Sequence, residues 1–116
     1  MGRPDAVFET DARRMGDVVV VSLTGELDMA TAPAVQEAVE RAQGEGPIAV
    51  DLRELTFIDS TGIRALLDIY AAGQDGHSAV SFIRGPKRVQ RVLQLAGVEQ
   101  LLAWTDPPAG AASDGF

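Results

Sequence analysis

Apolar residues follow two rhythms along this chain. Between 18 and 23 they run almost unbroken, as Val18, Val19, Val20, Val21 and Leu23. A run this short and this rich in β-branched residues predicts a strand. The preceding AVFETDA predicts a partner strand, folded back through Met15-Gly16-Asp17, and Gly25 is expected to end the run. The rhythm then changes. Val35, Ala38, Val39 and Ala42 fall at i, i+3, i+4 and i+7, one face of a helix. Thr31 is its candidate N-cap, Pro33 lies in the first turn where a missing N–H is harmless, and Gly44 and Gly46 stop it.

Ile48, Ala49, Val50 and Leu52 make a second core strand, covered on both faces. Ile63, Leu66, Leu67 and Tyr70 restore the helical spacing, so a helix is expected from about 61 to 72, ended by Gly73. AVSFIRG predicts a third core strand. Pro86 opens a third helix with Val89, Val92, Leu93 and Ala96 on one face and Gly97 as its left-handed stop. VEQLLAW reads as a short helical or extended piece, and the aperiodic TDPPAGAASDGF as a flexible tail.

Strands alternating with helices imply an α/β fold with a mostly parallel sheet. In such sheets functional groups gather where strands end and helices begin. Two strand ends stand out, TGELD at 24–28 and FIDSTG at 57–62. Phe57 and Ile58 are expected to pack beneath the second.

Composition narrows the chemistry. The 116 residues, 46% hydrophobic, suit one ordinary domain. The absence of cysteine removes disulfides and thiolate nucleophiles, and one histidine, His77, cannot build a multi-histidine metal site. A net charge of −7 argues against nucleic-acid binding, which draws on basic surplus. No apolar run approaches the roughly 18 residues of a membrane span, and the N-terminus lacks a signal peptide's apolar core. A soluble cytoplasmic protein is expected.

Several chemistries could use Asp59-Ser60-Thr61-Gly62. Helix capping is the plainest, because Asp, Ser and Thr side chains accept from the free N–H groups of a first turn. Capping explains one such residue well, and three in a row exceed what one helix start requires. A serine nucleophile needs a base, and His77 lies in a polar turn, GQDGHSA. An aspartic-protease dyad lacks its second copy. The chain also has no G-x-x-x-x-G-K-[ST] or G-x-G-x-x-G, so no evident nucleotide-binding loop and no expected cofactor. The remaining reading makes Ser60 a substrate. Phosphorylation adds about −1.5 to −2 charges, which a helix N-terminus tolerates. The fold would survive while a docked partner met new bulk and charge.

VVSLTGELDMATAPAVQEAV, IAVDLRELTFIDSTGIRALL and GPKRVQRVLQLAGVEQLL together resemble the STAS domain of bacterial anti-sigma factor antagonists, over residues 7–104. The resemblance implies a single domain with a mixed four- to five-stranded sheet and helices mainly on one side. It implies a non-enzymatic protein that binds an anti-sigma factor serine kinase, so that a sigma factor is released. It further implies phosphorylation of Ser60 by that kinase, which breaks the complex, and a PP2C-type phosphatase that restores it. Asp28 would lie near the modified serine. The motifs match at Gly25, Glu26, Leu27, Asp28, Asp59, Ser60, Thr61 and Gly62. After them the chain has Ile63-Arg64 where many members have Leu-Gly or Leu-Arg.

The partner surface implied is therefore Glu26, Asp28, Asp59, Ser60, Thr61, Gly62 and Arg64, with the alternative that Arg64, like Lys87, Arg88 and Arg91, is a solvated helix residue. No nucleic acid, membrane or metal is expected. The domain is expected over 6–105, between a flexible 1–5 and a flexible 106–116. Two other readings stand beside this one: a STAS regulatory module of another signalling or transport complex, and a small-molecule binding or hydrolytic domain.

Overall fold

The two-residue turn Gly16-Asp17, with Gly16 at φ 67°, folds strand β1 (Glu9–Met15) back on β2 (Val18–Leu27). A computed structural model describes residues 7–76 and 78–110. The expected N-terminal stretch 1–5, His77 and positions 111–116 of the expected tail lie outside the described residues. After β2 come α1 (Ala32–Ala42), β3 (Ile48–Ile58), α2 (Ser60–Asp75), β4 (Val80–Ile83), α3 (Lys87–Leu95) and a 3₁₀ turn, Glu99–Leu101. The strands lie in the order β1-β2-β3-β4. The first pair is antiparallel and the other two are parallel.

All three helices cover one face of the sheet. Their inward residues, including Val35, Val39, Leu66, Ile69, Val89 and Leu93, share one core with Val19, Val21, Leu23, Val50, Leu52 and Phe82. The helix-free face has a smaller buried patch of Val20, Ala49 and Ile83 beside Met15. Asp51, buried there, holds Arg53 through two charge-assisted bonds of 3.0 and 2.9 Å. Residues after Trp104 reach this face, where Gly110 lines a furrow with Met15, Val20 and Asp51. At the edge of β4, Phe82 donates to Ala103 and accepts from Thr105, which adds a parallel bridge to Trp104.

The strands run further than the sequence reading allowed. Gly25 was expected to end β2, but at φ 111° it stays within the strand, its Cα side packed under Val7 and Phe8. β3 continues past Leu55 to Ile58 through two register shifts against β2, between Ser22 and Thr24 and between Gly25 and Glu26. Each shift places an extra β3 residue opposite β2. Leu52, Leu55 and Ile58, three residues apart, therefore all point into the core, while Glu54 and Thr56 stand in water. A bulge is what lets a strand keep its face through such a break in period.

The helices differ in which face they bury. α1 buries the predicted Val35, Ala38, Val39 and Ala42. α2 buries Gly62, Ala65, Leu66, Ile69 and Gly73, and leaves the expected Ile63, Leu67 and Tyr70 half-buried on one flank. Gly73 does not end α2, which runs on to Asp75. It sits against Val80, where an added Cβ would lie 2.8 Å from Val80 Cγ2. α3 buries Val89, Gln90 and Leu93 but not Val92 or Ala96. Gln90 is satisfied there, accepting from the Gly85 amide and donating to Glu99. Gly97, at φ 74°, follows α3 as expected.

Candidate functional site

The site is built where β2 and β3 end side by side. Glu26 pairs with Phe57 and Leu27 with Ile58. The Asp59 amide then donates to the Leu27 carbonyl at 3.2 Å. The first turn of α2 seats on the same spot, because Gly62 presents no side chain to Leu27 and Ile58. The two motifs, more than thirty positions apart, thus form one edge.

The first loop is fixed by Thr31. It occupies the N-cap position of α1, as the sequence predicts, but its side chain caps no helical amide. Its hydroxyl donates to the Glu26 carbonyl at 2.7 Å and accepts from the Asp28 amide at 2.9 Å. Asp28 Oδ1 accepts from the amides of Ala30 and Thr31 at 3.0 and 3.2 Å. The turn is closed by the Ala32 amide on the Asp28 carbonyl at 2.9 Å. A carboxylate that bonds the amides just beyond it makes a turn of its own side chain.

The second loop is fixed by Asp59. Its extended backbone and its Oδ1, which accepts from the Gly62 amide at 3.0 Å, make it the N-cap of α2. Capping is therefore assigned to one residue of the four. Ser60 and Thr61 are released from that role, and both are exposed in the first turn. Arg64 is exposed one turn later, at i+4 from Ser60 and so on the same helix side. Glu26, Asp28 and Asp59 are each half-buried.

The structure thus brings Glu26, Asp28, Asp59, Ser60, Thr61 and Gly62 together, with Arg64 bordering them. Phe57 corrects the sequence reading. Ile58 packs inward, but Phe57 points to the opposite face and is 46% exposed. Met29, not singled out from the sequence, is 75% exposed in the neighbouring loop. Parity could have revealed Phe57, since adjacent strand residues face opposite ways and Ile58 is the core residue. A groove of about 550 Å³ between α1 and α2, lined by Val39, Glu40, Asp68 and Ile69, is a separate place. Among the described residues, no three His, Asp or Glu side chains converge as a metal site, and no helix is long and apolar enough to cross a membrane.

Comparison with known proteins agrees with this geometry. A family model described as "Mlab, STAS domain" matches residues 10–103. An anti-sigma F factor antagonist of Paenibacillus polymyxa is 32% identical over 103 residues, covering 84% of this chain and 86% of that protein. The anti-sigma-F factor antagonist RsfB of Mycobacterium tuberculosis is 37% identical over 68 residues, 57% of this chain. The chain spans about half of RsfB's length, 55%. A crystal structure of an anti-sigma factor antagonist from Mycobacterium paratuberculosis has a TM-score of 0.74 at 25% identity, covering 94% of this chain and 92% of that one. With the mixed sheet, the one-sided helices and both motifs in place, the chain belongs to the STAS-domain family of anti-sigma factor antagonists.

Proposed function

We propose that this protein is an anti-sigma factor antagonist that binds an anti-sigma factor serine kinase, releases a sigma factor, and is switched off by phosphorylation at Ser60. A PP2C-type phosphatase reverses the switch. The domain spans 6–105, and the protein works in the cytoplasm as a binding module rather than an enzyme. The observation that carries this reading is the division of labour in the DSTG turn. Asp59 takes the cap, so the Ser60 hydroxyl stands exposed and uncommitted at the first helical position.

The physics of that position favours a switch. A phosphate there would meet the free amides of a helix start, which favour anions, and Arg64 one turn on. The fold would keep its stability. A partner over Glu26, Asp28 and Asp59 would instead have to accept a bulky, strongly hydrated dianion beside those carboxylates.

The test uses the full chain, ATP and each purified anti-sigma factor serine kinase of its organism. One phosphate should be incorporated, and Ser60→Ala should abolish it. Ser60→Asp should lose kinase binding while unfolding within about 1 kcal/mol of the parent. Incorporation that survives Ser60→Ala would move the site to Thr61, and absence of binding to every kinase would sink the reading. The name Mlab in the matching family model favours a second reading, a STAS module of a different complex. Co-purification with transport proteins in place of a kinase would establish it.

A further inference from the structure

Two large apolar side chains stand in water at the edge that carries Ser60. Met29 follows Asp28 in the first loop and is 75% exposed; Phe57 precedes the second loop and is 46% exposed. Phe57 is register partner to Glu26, so both side chains lie on the helix-free face, opposite the inward Leu27 and Ile58. Three carboxylates are their neighbours in register or along the chain: Glu26 is the register partner of Phe57, Asp28 precedes Met29, and Asp59 follows Phe57 by two positions. The Oδ1 atoms of Asp28 and Asp59 are spent on their own loops, which leaves the outer oxygens to a partner.

Charge alone cannot run the proposed switch. A partner held mainly by cations on these carboxylates would be held more tightly once Ser60 gained about −1.5 to −2 further charges. A switch that phosphorylation turns off needs a contact from which water must leave. Met29 and Phe57 supply it. A phosphate on Ser60, three positions after Phe57 in the chain, keeps its hydration shell, because burying an unpaired charge is strongly unfavourable, and a partner that covers both the apolar pair and Ser60 can no longer dry the contact.

Building on the antagonist reading, we infer that Met29 and Phe57 are the apolar anchors of the kinase complex. They are received in an apolar socket whose rim carries cations facing Glu26, Asp28 and Asp59. The rim speeds the encounter and the anchors set the lifetime, the usual division between charged and apolar interface groups.

The experiment follows binding of the full chain to each anti-sigma factor serine kinase of its organism, loaded with a non-hydrolysable ATP analogue so that no phosphate moves. Phe57→Ala and Met29→Ala should each raise koff by about tenfold or more, with kon within about threefold. Glu26→Gln should lower kon and flatten its salt dependence. Leu95→Ala, at an equally exposed apolar position on α3 (76%), should change nothing. Met29 stands in a loop away from the core, so an unchanged koff for Met29→Ala overturns the inference even where Phe57→Ala folds poorly. A change in the free chain's sedimentation, with kinase koff unaltered, would assign the surface to self-association and also overturn it. A parent chain that binds no kinase would instead overturn the antagonist reading itself.

Discussion

Gly62 and Leu27 are packed so closely that a Cβ on Gly62 would stand 2.6 Å from the Leu27 carbonyl oxygen. It would also lie 2.8 Å from Leu27 Cγ and 2.9 Å from Ile58 Cγ1. The nearest of these is backbone and cannot swing aside. Gly62→Ala should therefore destabilise the fold by about 2–3 kcal/mol, the upper range for overpacking. Urea unfolding measures the loss. The same substitution should weaken kinase binding, since it pries apart the two loops that share the edge.

Asp59 gives a graded pair. Asp59→Ala removes the acceptor for the Gly62 amide and should lose about 1 kcal/mol. Asp59→Asn keeps an acceptor and gives up only the charge beside the helix start, about 0.3–1 kcal/mol at low salt. Adding salt should shrink the deficit of Asn and leave most of that of Ala. Denaturation at two ionic strengths separates them.

Thr31 tests the first loop. Thr31→Val keeps the shape but loses the bond to the Glu26 carbonyl and the acceptor for the Asp28 amide. A loss of about 1–2 kcal/mol is expected, because two half-buried backbone groups are left unpaired. Thr31→Ser should recover most of it. Amide exchange at Asp28 should accelerate in the Val variant and not in the Ser variant.

Gly73 sets two effects against each other. Alanine in a helix interior gains about 0.8–1.0 kcal/mol over glycine. Here the new methyl would lie 2.8 Å from Val80 Cγ2 and 3.1 Å from Val80 Cβ. Valine is stiff at χ1 and cannot turn away freely, and overpacking costs about 1–3 kcal/mol. Gly73→Ala should thus be net destabilising. In a Val80→Ala background the Cγ2 clash is gone while the close approaches to the residue-80 Cβ and to the Ser78 carbonyl, 3.2 Å, remain, so the cost should shrink, and a double-mutant cycle reads the coupling.

The element order was legible from the sequence because each rhythm is local. All four positions that the spacing marks on α1 are buried, and the structure adds only Ala32 at its first turn, since this inward face consists of Val and Ala at regular spacing. α2 was read rotated by about one position. The pattern of large residues pointed to Ile63, Leu67 and Tyr70, whereas the closest packing is made by Gly62, Ala65 and Gly73. Small residues carry little hydrophobic signal, yet they decide how near a helix can lie. α3 misled differently, because buried Gln90 has its polar atoms satisfied by Gly85 and Glu99. At the candidate site, the two motifs are visible in the sequence, but the separate bonds that each of their residues makes are not. Which acid caps, which hydroxyl ties the loop and which apolar residue faces water depend on register and on a bond between distant strand ends. Periodicity along one segment holds none of that.

The two register shifts in β3 make the phase of the DSTG turn a matter of residue count. Leu52, Leu55 and Ile58 share the core side only because one extra residue is absorbed at each shift. A chain shortened by one position at either shift would lose that bulge and pair regularly there, with Leu52, Leu55 and Ile58 all still inward, whereas a chain lengthened by one position would have to absorb a third extra residue. Length in this stretch thus sets how many bulges β3 must carry before the turn at Asp59.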